Sequence, residues 1–422
     1  MDKVLLPAQE VPVLGEYDVV VAGGGCAGLA AAVACARIGA RTLILERFPF
    51  FGGTATASLM ANIVGIRNQV EPNELQVLKG IGQELLLRLL SGGDACVTKN
   101  AYIAKGRPHS NTKDDLSYSF AFNTEAFKRE AQAMVEESGC DILFHVFVSD
   151  VIVEDNRLKG LVIETKAGRR AVLAKAFVDA TGDGDVAFRA GIPFWQTRHE
   201  EAKRLNDTLM YKVGGFDPDH VSVESCVFDD SMVLWGPNPG GHDATDPWEL
   251  TRMELQLRRD VHRQFEELKQ AHPDLKDAYI ADTGVLMGIR QTRFFECRYK
   301  ITGEDVLNGA RFDDVIAVGC NPVIHYYGYR RFLTHEGYDI PFRCLVPKAL
   351  EGLLIAGRCI CSDQIAFESW RAMSHILCIG EAAGTAAALA VRHGVSPGDV
   401  DIRALQDQLV TQGAEIGQNR TL

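Results

Sequence analysis

Gly23, Gly25 and Gly28 form a G-x-G-x-x-G spacing inside the run Gly23-Gly24-Gly25-Cys26-Ala27-Gly28, between a buried-type apolar stretch and an alanine-rich one. Such a loop binds anions. Gly23 permits a tight turn, Gly25 lets backbone approach a diphosphate, and Gly28 lets a helix pack closely on a strand. The helix opened by Ala27 points its first N–H groups and dipole at the anion, with Cys26 just before it in the loop. Glu46 follows eighteen positions after Gly28, where a carboxylate can accept both hydroxyls of an adenosine ribose. Taken alone it could be a solvated strand-end charge; the surrounding pattern favours the ribose.

The glycine loop by itself does not separate FAD from NAD. Three other segments favour FAD. Arg47 to Thr54 sets Gly52-Gly53-Thr54 just beyond the ribose-binding acid, small enough to run against a diphosphate and ribityl chain. Ala180-Thr181-Gly182-Asp183 ends a buried run in a close-approach turn. Leu353 to Arg358 brings a late strand back through Gly357, and a helix starting near Arg371-Ala372-Met373-Ser374 can aim its N-terminus at the anionic edge of a reduced flavin. With the cofactor carrying the electrons, the protein must orient substrate and handle protons. Arg290 and Arg293, in Gly288-Ile289-Arg290-Gln291-Thr292-Arg293, can bind a substrate carboxylate or form a structural ion pair. His325 and Tyr326, followed by Tyr327, Tyr329, Arg330 and Arg331, offer acid–base groups, with His375 a secondary candidate. Cys297 and Cys359 are thiols through which a flavin could be attached covalently.

The elements that must position these residues can be read from periodicity and caps. Tyr17 to Ala22 predicts a buried strand, Ala27 to Ile38 a helix closed by Gly39, and Thr42 to Glu46 a second strand. A helix is expected from Ile81 to Leu90, and another from the Asn123 cap to Ser138. Strands are expected at 142–147, 148–154, 158–165, 171–173, 176–180 and 353–356, and a late helix at 372–393. Asp246-Pro247-Trp248-Glu249 supplies a cap, a first-turn proline and a capping-box acid to a helix with Leu250, Met253, Leu257, Val261, Phe265 and Leu268 on one face.

At these motifs the chain resembles the FAD-dependent oxidoreductase family of glutathione-reductase-like Rossmann flavoproteins, in its bacterial subgroup. The resemblance covers most of the chain: DVVVAGGGCAGLAAAVACARIGARTLILE and GGTAT, AKAFVDATGDGDVAFRAGI, GIRQTRFFECRYKITGEDVLNGARFDDVIAVG, IPFRCLVPKALEGLLIAGRCIC, and RAMSHILCIGEAAGTAAALA. It implies diphosphate contacts at Gly23 to Gly28, ribose at Glu46, and phosphate or ribose contacts from Arg47, Gly53 and Thr54. A backbone contact to adenine is implied at Val148, with further contacts at Ala180, Thr181 and Gly182. Flavin contacts are implied at Gly357, Arg358, Arg371, Ala372 and Met373. The chain departs from the pattern at Arg358, where many relatives carry an acid, and at Cys297, where a glycine is frequent.

The implied architecture is α/β: a Rossmann-type FAD-binding domain, made of a central parallel sheet plus a β-meander, with an inserted α+β substrate domain. The first would comprise residues 1–65, 116–190 and 340–422, the second 66–115 and 191–339. The chain has 44 Lys and Arg against 56 Asp and Glu, a formal charge of -12, and no basic run. Nucleic acid and anionic membranes are therefore not the expected partners; a small-molecule substrate is, with oxygen or a redox partner as electron acceptor, and homo-oligomers remain open. Eleven irregularly spaced cysteines, without CxxC or a Cys/His cluster, suggest reduced thiols in a cytoplasm and no metal. The run Val19 to Ala36 approaches membrane-spanning length but reads better as strand, turn and helix. The expected function is hydride transfer between a small organic substrate and flavin N5; an NAD-dependent dehydrogenase or a flavoprotein with a non-redox role are the alternatives.

Overall fold

Val19, Val20, Val21 and Ala22 have no polar member among them, so both faces of the strand they form must be covered. In the computed structural model, which describes residues 4–5, 7–71, 73–97, 110–196, 205–217, 219–220, 222, 226–228, 230–240, 242–324 and 330–420, they end the strand Val13–Ala22 and are fully buried. That strand lies in a sheet ordered Asp141–Leu143, Thr42–Leu45, Val13–Ala22, Gly168–Asp179, with Leu353–Ile355 beyond, all neighbours parallel.

Gly168–Asp179 serves two neighbours on its far side. Its first half pairs antiparallel with Arg157–Thr165, which pairs with Phe147–Glu154 to complete the meander; its second half pairs with Leu353–Ile355. The expected strands at 171–173 and 176–180 are thus one strand. Lys175, between the two expected spans, is an outward position of the pleat, ion-paired to Asp18 at 2.7 Å. The strand expected at 142–147 stops at Leu143, and His145 turns the chain with a φ of 58°.

Two alanine-rich helices, Cys26–Arg37 and Met373–His393, cover the sheet together. Their backbones touch: a Cβ on Gly380 would collide with the Ala27 carbonyl oxygen, and one on Gly384 with that of Ala31. Because 380 meets 27 and 384 meets 31, the helices run parallel and start on the same side of the sheet. The later helix begins six residues earlier relative to that contact, so its N-terminus projects about 9 Å further. Met373–His393 has the length and apolarity of a membrane span, but 89% of that window is buried inside the protein.

A second core is formed by the Pro247–Ala271 helix on a sheet ordered Cys226–Phe228, Ser231–Leu234, Tyr211–Gly214, Tyr279–Thr283. Asp246 caps the helix by accepting the N–H groups of Trp248 and Glu249 at 2.9 and 2.8 Å, and Met253, Leu257, Val261 and Phe265 are its buried stripe, as their spacing requires. Within the expected insert 191–339, this separate core takes in Leu209 to Met287; Phe294, Ile301, Ile316 and Val323 pack into the main core. A helix that the sequence did not announce, Gln364–Trp370, precedes the long C-terminal one.

Candidate functional site

Four adjacent parallel strands end on one side of the sheet, and each hands the chain to a segment singled out above. Ala22 leads to Gly23, Leu45 to Glu46, Asp179 to Ala180, and Ile355 to Ala356 and Gly357. The carboxyl ends of such strands are where open α/β sheets bind ligands. A cleft of about 900 Å³ runs along them, lined by Gly23, Gly25, Cys26, Ala27, Glu46 and Arg47, then by Gly53, Thr54, Ala180, Thr181 and Gly182. It continues past Gly357 and Arg358 to Arg371, Ala372 and Met373 at the start of the long helix.

The geometry of this half suits an anionic dinucleotide. Gly25 is the N-cap of its helix, offers no side-chain acceptor, and is followed by no acid in the first turn, so the leading N–H groups face the cleft uncapped. The helix at Met373 likewise lacks a capping side chain and a first-turn acid. Gly53, at a φ of 53°, lies so close that a Cβ there would sit 2.9 Å from Gly25 Cα. Two glycine runs thereby leave a bare-backbone cradle.

Glu46 is buried, which pushes its carboxyl up from the ordinary value; the backbone N–H groups of Phe48 and Gly24 and the charge of Arg47 oppose the rise. Oε2 accepts from Gly24 at 2.6 Å and Oε1 from Phe48 at 2.9 Å, leaving each oxygen a second lone pair for a hydroxyl. Asp179, buried and pushed up to about 6 by desolvation, organises the next turn by accepting Thr181 Oγ1 at 2.7 Å and the Ala187 N–H at 2.8 Å. Burial would also raise Asp183, but the charge of Arg358 and the Thr292 hydroxyl, at 2.6 Å, outweigh it and hold that carboxyl low. Arg358 is ion-paired to Asp183 across the Gly182 turn.

Not every expected residue faces the cleft. Gly28 lies behind it, its place a packing one: a Cβ would strike the Gly23 carbonyl. Val148 is buried in the meander, paired with Ile163, and is not part of the lining. Arg293 is a correction. Its guanidinium lies 4.1 Å from the Phe188 ring centre, donates to the Asp183 carbonyl at 3.1 Å and pairs with Asp185 at 3.5 Å, so it buttresses the Asp183 turn. His375 is a second correction. Wholly buried, it bridges the Trp370 carbonyl and the Cys320 N–H, each at 3.2 Å, and burial pushes it down to about 4, so it stays neutral. Cys297 and Cys359 are buried away from the cleft, with thiols pushed up by desolvation. His325 and Tyr326 lie outside the described residues.

Arg290 does border the cleft, in its far half. Its N–H is held by Asp207 Oδ1 at 2.7 Å, Asp207 Oδ2 is held by His242 at 2.9 Å, and its guanidinium lies 5.3 Å from the Trp235 ring centre. The same cleft is lined by residues that sequence reasoning did not nominate: Trp235, Asn238, Ile289, Phe332, Asn321 and Glu368. Asn321 accepts the Tyr118 hydroxyl at 2.6 Å. One signal was present: Glu368 is the single charge in Gln364-Ile365-Ala366-Phe367-Glu368-Ser369-Trp370, an acid inside an apolar helix.

Fold and site together define a class, that of α/β enzymes that bind a dinucleotide at the carboxyl ends of a parallel sheet. The model of the family described as FAD dependent oxidoreductase matches residues 18–233 and 222–409, and the chain belongs to that family; FAD is its cofactor. Among curated proteins, the chain is similar to thiamine thiazole synthase of Methanococcus vannielii, 30% identical over 177 residues, 40% of this chain and 56% of that one. It is also similar to the tRNA uridine 5-carboxymethylaminomethyl modification enzyme MnmG of Caldicellulosiruptor saccharolyticus, 30% identical over 175 residues, 40% of this chain and 25% of that one. The matches thus span about half and a quarter of these relatives' lengths. Among solved structures, p-nitrophenol 4-monooxygenase PnpA from Pseudomonas putida DLL-E4 aligns with a TM-score of 0.52 at 11% identity, over 94% of this chain and 84% of that one, a likeness of fold.

Proposed function

We propose that the enzyme transfers a hydride between a small organic substrate and N5 of FAD, with the substrate held in the half of the cleft bounded by Trp235 and Arg290. The observation that carries this reading is the continuity of one cleft, from the uncapped helix at Gly25 to the cation and aromatic surface of Arg290 and Trp235. Bound FAD supplies the two-electron chemistry.

The chain's own residues supply the rest. The N–H groups following Gly25 would hold the diphosphate, Glu46 would take the adenosine ribose, and Arg47 would add positive charge beside them. The uncapped helix start at Met373 borders the cleft and would favour negative charge on the bound cofactor there. Arg290, stacked on Trp235, orients a carboxylate on the substrate. Ile289, Ile324 and Phe332 line the same half and displace water from it.

The test is direct. The purified protein is expected to be yellow and to release FAD on denaturation, and an anaerobic panel of hydroxy acids, amino acids and amines is expected to contain a compound that bleaches the flavin. A flavin that no member of the panel bleaches would overturn the reading.

A further inference from the structure

Glu368 sits where a carboxylate is costly. It is 2% exposed, flanked on its helix by the buried Ala366, Phe367, Ser369 and Trp370, and it nevertheless lines the cleft. Burial in such a place disfavours the ionised form. Desolvation pushes Glu368 up to about 7, against the opposing hydrogen bond from Gln364 and charge of Arg371, while Asp363 adds to the rise. Two further titratable groups lie nearby, Tyr118 in the cleft lining and Tyr338 buried behind it. The Tyr338 hydroxyl is 2.8 Å from Ser369 Oγ, and the Tyr118 hydroxyl is on Asn321. His375, packed behind, remains neutral.

Glu368 is also tied to the substrate anchor. Its Oε1 accepts Gln364 Nε2 at 3.2 Å, and Gln364 Oε1 in turn accepts Gln291 Nε2 at 2.6 Å. Gln291 is the neighbour of Arg290 in the chain, so a two-amide relay joins the acid to the segment that presents the cation. One cleft thus takes in both a guanidinium beside an aromatic ring and a buried acid, linked through two amides.

We propose that Glu368 is the acid–base group of this enzyme, exchanging the proton that accompanies oxidation of a carboxylate-bearing alcohol or amine anchored by Arg290. This rests on the hydride reading above. In the oxidative direction the substrate C–H bond breaks and its electron pair leaves with the hydrogen as hydride to the flavin. The O–H or N–H bond on the same carbon breaks, C=O or C=N forms, and the released proton ends on a Glu368 oxygen. In the reductive direction the same oxygen returns it. A carboxyl that holds both forms near neutrality suits either direction.

The experiment compares the holoenzyme with Glu368→Gln and Glu368→Asp, using α-hydroxy acids and α-amino acids as reductants in anaerobic stopped flow. Glu368→Gln is expected to keep its full complement of FAD while flavin reduction slows by about 100-fold or more. The inflection near pH 7 in the wild-type rate is expected to vanish, and Glu368→Asp to recover part of the rate. Independently of turnover, infrared difference spectra between wild type and Glu368→Gln are expected to show a carboxylic-acid carbonyl band that fades as pH rises through about 7. Reduction of Glu368→Gln within about threefold of wild type with the same inflection would overturn the assignment, as would the absence of that titrating band. A wild type that none of these acids reduces overturns the acid–base role, and one that the amines of the wider panel do not reduce either sinks the hydride reading with it; failure of the Glu368 assignment alone shows as wild type and variant reduced alike.

Discussion

Arg290 and Arg358 border one cleft with one charge, and their surroundings separate them. Arg358 is ion-paired to Asp183, which also accepts the Thr292 hydroxyl and lies beside Arg293. Asp183→Asn removes the negative centre of that cluster and leaves two guanidinium groups facing each other. The apoprotein is expected to lose about 1–3 kcal/mol of stability, checked by denaturant unfolding. Arg290 is held through its backbone by Asp207 and stacked on Trp235, which presents its head to the cleft. Arg290→Lys keeps the charge but loses the planar fork, so KM for a carboxylate substrate is expected to rise about tenfold or more while flavin content is unchanged. An equal KM in the lysine variant would remove the anchor role. Sequence reasoning ranked Arg290 and Arg293 alike because both sit in one short segment; side-chain direction, which spacing does not carry, separated them.

At the scale of elements, the contact between the helices Cys26–Arg37 and Met373–His393 decides where two positive helix ends lie. Gly380→Ala adds a Cβ against the Ala27 carbonyl, and the helices must part. A loss of about 1–3 kcal/mol is expected, together with weaker FAD binding because both N-termini move, read from thermal unfolding and flavin retention. Glu381 adds a pH dependence to the same packing. Its Oε2 accepts the Ile81 N–H at 2.9 Å and so caps the Gly80–Ser91 helix, whose own N-cap, Lys79, has no acceptor. Burial pushes this carboxyl up to about 7, against the Ile81 N–H and the charge of Arg37 and with a contribution from Glu84. The folded state therefore holds its proton more tightly than the unfolded chain. The associated stability is complete below the ordinary value of 4.5 and is lost as pH rises through about 7. Glu381→Gln keeps the cap without the titration, so its Tm is expected to exceed that of wild type by a few degrees above pH 7 and to match it in acid. A constant difference across pH would show that Glu381 does not titrate in this window.

Across the whole molecule, the cofactor cleft is bounded by segments distant in sequence, from Gly23 to Ile376, so bound FAD ties together parts that the chain joins only through its core. Stripping FAD is expected to lower stability by the binding linkage, about 2.7 kcal/mol when free FAD stands at about 100 times its dissociation constant. Thermal unfolding of stripped and reconstituted protein measures it, and identical Tm values would show that FAD does not bind the folded state in preference to the unfolded one. The cleft lining draws on both cores, with Thr208, Trp235 and Ile289 beside the second one and Asn321, Phe332 and Glu368 coming from other segments.

The cofactor half was legible in the residues because its chemistry is local. A strand, three glycines, a helix and an acid at a set distance are successive in the chain, and the same backbone that folds them also does the binding, which is why Gly23 to Glu46 could be read directly. Continuity of Gly168–Asp179 and the helix at Gln364–Trp370 were less readable, since a strand's outward lysine and a short helix look like interruptions until neighbours cover them. The rest of the cleft lining depended wholly on tertiary structure. Glu368, Trp235 and Asn321 carry no spacing signal, and their sharing one cleft with Arg290 follows from how the chain folds. Burial, which raises the Glu368 carboxyl and silences His375, belongs to that folding; no local stretch of sequence specifies it.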